Sequence, residues 1–295
     1  MTQRTTEPWL IIGSSGQLGQ ELVSACGQRG IDYMAVGRSE CDITNRAQVH
    51  ALIHDFQPAV VLNAAAWTAV DAAETEEDAA WAVNAQGARN VADASASVDA
   101  ALVHYSTDYV FNGNGNTPFA ENAAVHPSTA YGRSKAEGEA LVRECGPRRT
   151  WILRTAWLYS SQGANFVKTM LQLSAARDHV QVVDDQVGQP TWARDVAMQT
   201  LVLLRAGAPA GTYHATNSGQ ASWFTFARAV FELAGMDPSR VQPVTSAHFP
   251  RPARRPSYSV LGHDGWGAIG LAPMQPWDAA LREAMPEILA THMAA

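Results

Sequence analysis

The stretch Gly13-Ser14-Ser15-Gly16-Gln17-Leu18-Gly19 sets the frame for this chain. It follows a short apolar run, Trp9 to Ile12, of the kind found in a parallel strand buried on both faces. It leads into Leu18 to Arg29, which reads as a helix. Strand, glycine-rich turn and helix in that order form the context that a dinucleotide-binding loop requires. The glycines let the backbone turn sharply and approach a pyrophosphate, whose charge the helix N-terminus favours. An ordinary strand-to-helix turn is the other reading of the same residues.

The chain continues the alternation. Strands are expected at Tyr33 to Val36, Ala59 to Leu62, Ala101 to Tyr105 and Arg149 to Arg154, and helices at Asn45 to Asp55, Asp71 to Ser97 and Ser134 to Glu144. Asn63, Ala64, Ala65 and Ala66 end the third strand, followed by Trp67 and Thr68; small residues there leave room for a cofactor to pass. Arg38 follows the second strand, where an adenosine ribose would lie, and an arginine can pair with the 2′-phosphate of NADPH. NADH is the alternative. Asn84, inside a helix, reads as a satisfied core amide.

Near residue 158 the regular alternation gives way to an irregular chain rich in Trp and Pro. A helix to Ala176, strands at Val180 to Val183 and Gly211 to His214, and a turn at Gly188 to Thr191 are expected. Further helices fall at Asp195 to Leu204, Trp223 to Ala234 and Pro276 to Leu289, with a Pro-rich loop from Pro243 to Pro256. The fold expected is α/β, a Rossmann-type doubly wound parallel sheet with a smaller C-terminal substrate lobe. Residues 1–158 would bind the cofactor. Residues 159–295 would mainly form the substrate lobe, with some segments returning to the first domain. Residues 1 to 8 read as a frayed tail.

Composition removes several classes. A net charge of -7 argues against a general nucleic-acid binder. The three cysteines, Cys26, Cys41 and Cys145, lack metal-type spacing and fit a reducing compartment. No apolar run approaches the ~20 residues that span a bilayer, and the N-terminus lacks a signal-peptide pattern. A soluble cytoplasmic protein is the expectation.

The chemistry gathers around Tyr131-Gly132-Arg133-Ser134-Lys135. Residues four apart share a helix face. A lysine ammonium one turn from a phenol favours the phenolate, so the pair can serve as a proton-transfer device. On its own the pair is more often plain helix surface. Thr107 stands just past the fourth strand, where a hydroxyl beside a nicotinamide can bind a substrate carbonyl.

Glycine loop, Asn-Ala-Ala, Ser-Thr and Tyr-x-x-x-Lys occur here in the order of the extended short-chain dehydrogenase/reductase superfamily, and the spacing G-x-x-G-x-x-G resembles it too. More narrowly, the chain resembles the dTDP-4-dehydrorhamnose reductase family. The resemblance is carried by Ser106-Thr107-Asp108-Tyr109-Val110-Phe111, Arg154-Thr155-Ala156-Trp157, Asn165-Phe166, Pro190-Thr191 and Arg255-Pro256, and runs from about residue 9 to about residue 290. It implies NADPH- or NADH-dependent reduction of the 4-keto group of a dTDP sugar, dTDP-4-dehydro-L-rhamnose, to dTDP-L-rhamnose. Tyr131 would donate the proton, Lys135 would lower the tyrosine pKa and hold the nicotinamide ribose, and Thr107 would orient the carbonyl. Gly13, Gly16, Gln17, Leu18, Gly19, Thr68 and Tyr105 would join the Asn63 to Ala66 segment along the cofactor. Asp42 and Ile43 would meet the adenine, although Asp42 equally reads as part of a helix start. Asp108, Tyr109, Trp157 and Asn165 would touch the sugar, and Arg255 the diphosphate; Trp67 and Trp157 also read as packing residues.

Some members of that family dimerise around magnesium held by glutamates. Glu21 matches one, but Arg194 stands where the second is needed, and a cation there opposes a hard metal ion. No metal site and no magnesium-bridged dimer are expected; a monomer or a homodimer of another kind remains. The rival functions are a related sugar-nucleotide ketoreductase, an epimerase or dehydratase, and a non-catalytic NADP-binding regulatory subunit. A dehydratase needs a second acid beside Asp108, and Tyr109 takes that place.

Overall fold

A computed structural model describes residues 8–293; the tail expected at the N-terminus falls, Pro8 apart, outside the described residues. The first half runs β1 (Trp9–Ile12), α1 (Gln17–Gln28), β2 (Tyr33–Val36), α2 (Arg46–Phe56), β3 (Val60–Asn63), α3 (Glu77–Trp81), α4 (Ala88–Ser97), β4 (Ala101–Thr107), α5 (Ala130–Cys145) and β5 (Thr150–Thr155). The second half adds β6 (Leu158–Tyr159), α6 (Phe166–Ala176), β7 (Val180–Val183), β8 (Val187–Gly188), β9 (Thr191–Trp192), α7 (Ala193–Arg205), β10 (Gly211–His214), β11 (Ala221–Ser222), α8 (Trp223–Leu233), β12 (Val241–Val244), α9 (Asp264–Ala268) and α10 (Trp277–Met293).

Six strands form one sheet in the order β10-β5-β4-β3-β1-β2, every pair parallel. The apolar strand runs split by alternation between the two faces. Leu10, Ile12, Val61, Leu102 and Ile152 pack with Val49 and Ile53 of α2 and Val91 of α4. Ile11, Leu62, Val103 and Leu153 pack with Leu22 of α1 and with Val196 and Leu201 of α7. The sheet is therefore doubly wound, and its strand order reverses between β1 and β3, the switch point at which such sheets open a crevice. A further core, built around Tyr159, Val167, Phe226, Phe231 and Leu281, belongs to the second half of the chain.

Three expectations need correction. The single helix from Asp71 to Ser97 is broken into a 3₁₀ turn at Ala72–Glu74, α3, a π-helical turn at Ala82–Gly87, and α4. The widened turn carries Asn84, whose amide bonds both Trp67 N and Trp67 O and also Ser134 Oγ. Its alanine-rich sequence conceals this, because the break serves partners distant in the chain. Helix α5 begins at Ala130 rather than Ser134, since Thr129 caps it by accepting the Gly132 N–H at 3.0 Å. The start of the Pro-rich loop is strand β12, with Pro243 tolerated because β12 pairs only with β7.

Candidate active site

Gly13 turns the chain out of β1 at φ +84°, in the left-handed region that favours glycine. A Cβ there would stand 2.6 Å from Ala65 N, so the turn lies directly against the small residues that follow β3. Gly16 caps α1 without a side-chain hydrogen bond, and no acidic residue occupies the first helical turn. The free N–H groups and the positive end of the helix thus face the crevice uncompensated, as an anion-binding turn requires.

From this turn a groove runs in both directions along the carboxyl ends of the strands. One end, about 210 Å³, is walled by Ser15, Arg38, Cys41, Asp42, Ile43 and Trp67. The other, about 380 Å³, is walled by Gln17, Leu18, Thr68, Tyr105 to Tyr109, Tyr131, Lys135 and Thr155 to Leu158. Gly16, Ala64 and Ala66 line both ends. Arg38 is largely exposed, its Nε 3.6 Å from Asp42 Oδ2. Asp42 Oδ1 accepts the Thr44 N–H at 2.9 Å and its hydroxyl at 2.8 Å, and those bonds hold its carboxyl below the usual range. Asp42 therefore both shapes the turn before α2 and lines the groove. Asn63 does not line it: its amide reaches His104 Nδ1 at 3.2 Å.

Thr107, Tyr131 and Lys135 meet in the larger end. Thr107 is the last residue of β4, two further along than expected for the strand. Tyr131 lies in the first turn of α5, which can press against the Tyr109 segment because Gly132 has no Cβ; one would stand 2.3 Å from Tyr109 O. The Tyr131 ring packs edge-on to the Tyr109 ring at 5.5 Å, and the Thr107 hydroxyl lies near enough to its phenol to favour the charged form. Burial pushes the phenol up to about 12, against the pull of the nearby Thr107 hydroxyl and with a further push from Asp108. The expected action of Lys135 on this phenol is not seen. Its ammonium donates instead to Tyr105 O at 2.6 Å, and burial lowers it to about 8, opposed by the charge of Glu139.

Other expected residues divide. Asp108 and Tyr109 line the groove. Trp157 does so in the left-handed region at φ 45°, a strained state for a bulky residue, and stacks on Trp223 at 3.5 Å between centroids, so it both packs and lines. The Tyr105 phenol turns away to Thr200 of α7 at 3.0 Å. Asn165 caps α6 and donates to Gln17 Oε1 at 3.2 Å, holding a groove residue rather than lining the groove. Arg255 pairs with Asp71 at 2.8 Å and lines a separate concavity with Arg251, Arg254, Asp185 and Phe249. Arg194 lies between Glu21, at 3.2 Å, and Glu287.

Sequence reasoning missed the charges beneath the trio. Glu139, one turn after Lys135, is fully buried and takes both arms of buried Arg154 at 2.8 Å. The signal was an arginine closing the apolar strand Trp151-Ile152-Leu153 and a glutamate on the Tyr131–Lys135 helix face.

A parallel doubly wound sheet, an anion-binding turn at its switch point and a buried Thr–Tyr–Lys set define the class: a nucleotide-dependent oxidoreductase of the short-chain type. Within it, the chain belongs to the family described as the RmlD substrate binding domain, whose model matches residues 8–290. It is 48% identical over 284 residues to the dTDP-4-dehydrorhamnose reductase of Streptomyces griseus, covering 95% of this chain and 93% of that one. It is 47% identical over 283 residues to a probable dTDP-4,6-dihydroxy-2-methyloxan-3-one 4-ketoreductase of Streptomyces antibioticus, covering 96% of each. The crystal structure of the Bacillus anthracis dTDP-4-dehydrorhamnose reductase in complex with NADP superposes with a TM-score of 0.92 at 39% identity, covering 96% of this chain and 100% of that one.

Proposed function

We propose that this chain reduces the 4-keto group of dTDP-4-dehydro-L-rhamnose to give dTDP-L-rhamnose, with NADPH as the preferred reductant. The observation that carries the proposal is that Thr107, Tyr131 and Lys135 line one groove continuous with the Gly13 to Gly19 turn. The residues present fit the cofactor: the uncapped α1 terminus suits the pyrophosphate, Ala64 to Ala66 leave it room, and Arg38 suits a 2′-phosphate. When bound, NADPH supplies the hydride to the carbonyl carbon. Tyr131 gives its proton to the oxygen of the former carbonyl; a phenol held up at about 12 is fully protonated at neutral pH. Lys135 adds a positive charge beside the developing alkoxide and hydrogen-bond donors for a ribose. Trp157 and Tyr109 wall the sugar end.

In this reading residues 1–158 hold the cofactor, residues 159–295 shape the sugar end, and α7 and β10 return to the first half. A cytoplasmic location fits this reaction; among the described residues no helix is long and apolar enough to cross a membrane. The test is to follow NADPH absorbance with dTDP-4-dehydro-L-rhamnose and with its 4-keto-6-deoxyglucose isomer, and to identify products by NMR. Tyr131→Phe should lower turnover by about 10²–10⁴ and leave NADPH affinity nearly unchanged. Undiminished turnover in that variant removes Tyr131 as the proton donor.

A further inference from the structure

Gln17 opens α1 and lines the groove, yet among the described residues its side chain bonds only to the segment 160–165. Its Nε2 donates to Ala164 O at 3.2 Å. Its Oε1 accepts from Asn165 Nδ2 at 3.2 Å, with Ser160 Oγ at 3.4 Å. Neither amide can turn over. A backbone carbonyl only accepts, so Gln17 must face Ala164 O with its nitrogen. Asn165 Oδ1 accepts the Lys168 N–H at 3.2 Å, which leaves the two hydrogens of Nδ2 for Ser160 O, at 2.8 Å, and for Gln17. The Ser160 hydroxyl donates over a shorter path to Gln162 O at 2.9 Å. Asn165 is therefore the donor that fixes Gln17 Oε1.

The segment that holds Gln17 is itself anchored. Asn165 caps α6, Ser161 donates to Glu287 of α10, and Ser161 O accepts the Thr291 hydroxyl at 3.2 Å. Gly163 turns at φ +68°, and a Cβ there would stand 2.9 Å from Gln17 Cγ, so the fit is close as well as polar. The turn on the other side gains from such support. Three glycines in seven residues give it conformational freedom. Its start is tied down, since the N–H groups of Gly13 and Ser14 both reach Val36 O and that of Gly16 reaches Gly13 O at 3.1 Å. The head of α1 is tied down from the second half of the chain, through Gln17.

We infer that Asn165 is a positioning residue for the cofactor: through Gln17 it holds the first turn of α1 so that the free N–H groups stay aimed at the pyrophosphate. The inference rests on the cofactor part of the reductase reading. A turn that is ordered before its ligand arrives loses less freedom on binding, so affinity rises. The effect is selective. Ligands that carry a pyrophosphate feel the brace, and a ligand confined to the Arg38 end does not. This role also differs from the contact with the sugar that the family resemblance implied for Asn165, which would leave cofactor affinity alone.

The experiment is equilibrium binding to Asn165→Ser, by NADPH fluorescence and by its displacement. Serine caps a helix as well as asparagine, but the cap uses its one polar atom and nothing is left for Gln17. The probes are NADPH, 2′-phospho-ADP-ribose, which keeps the pyrophosphate without the nicotinamide, and adenosine 2′-monophosphate, which lacks the pyrophosphate. The Kd of the first two should rise together by about three- to tenfold, the loss of one hydrogen bond. The Kd of the third, the melting temperature, and the KM for the sugar nucleotide at saturating NADPH should stay at native values. Asn165→Ala, which loses cap and brace together, should weaken the same two ligands and also lower the melting temperature. An unchanged Kd for NADPH in the serine variant, equal weakening of all three probes, or a raised sugar KM with native NADPH affinity would each overturn the inference and leave the reductase reading intact. NADPH binding by the native chain without reduction of the sugar would overturn that reading alone, and absence of NADPH binding would overturn both.

Discussion

Replacing Glu139 by glutamine tests the charges beneath the reacting groups. Glu139 Oε1 accepts Arg154 Nε at 2.8 Å, and Oε2 accepts Arg154 Nη2 and Arg143 Nη2, each at 2.8 Å. Arg154 is 2% exposed and Glu139 fully buried. Removing one member of a buried pair leaves the other charge uncompensated, at a cost of about 3–5 kcal/mol. The carboxyl's own titration gives a second route to the number. Burial pushes it up, but the Arg154 bonds and charge, Ser106 and Arg143 outweigh burial and hold it down at about 2, from 4.5. A depression of that size is worth about 3 kcal/mol. The two routes agree, and for a chain of this length the melting temperature should fall by about 5 °C. Because the folded carboxyl titrates below the unfolded one, its contribution is complete above pH 4.5 and is lost as pH falls towards 2. The gap between native and variant should therefore be widest at neutral pH and close in acid. Glu139→Met with Arg154→Met should recover most of the loss. Urea and thermal unfolding followed by circular dichroism measure both. A variant within about 1 kcal/mol of native at pH 7, or a gap that persists unchanged into acid, would refute the reasoning.

Two other outcomes are expected. Arg38→Ser should raise the Kd for NADPH about tenfold, the worth of a charge-assisted hydrogen bond, and barely alter that for NADH; equal changes in fluorescence titrations would remove the 2′-phosphate role. Arg194→Glu would gather three carboxylates where a guanidinium now sits between Glu21 and Glu287. Millimolar magnesium should then raise the melting temperature of the variant and not of the native chain; a rise in the native chain would contradict that account of Arg194.

The parts of the fold legible in the sequence were those with local causes. The β1 turn was readable because its glycines meet a strand before and a helix after, and Tyr131 and Lys135 because helical spacing places them together. Thr107 was readable once β4 was located. What was hidden depends on partners far along the chain. Nothing local announces that Asn165 serves Gln17, or that the Tyr105 phenol turns to Thr200. The strands β6, β8, β9 and β11 have two residues each, too few for any period. The outcome at Lys135 has the same origin: helical spacing suggested that its charge would act on the Tyr131 phenol, and the backbone carbonyl of Tyr105, distant in the chain, takes the ammonium.

Strand β10 lies at the edge of the main sheet beside β5, although residues of the separate core, Tyr159 and Val167 among them, lie in the chain between the two strands. During synthesis the sheet stays open along β5 until residue 214 has left the ribosome. The half that holds the Gly13 to Gly19 turn takes its edge strand from the other half, so recombination that exchanged the C-terminal half for another would have to bring its own matching edge strand.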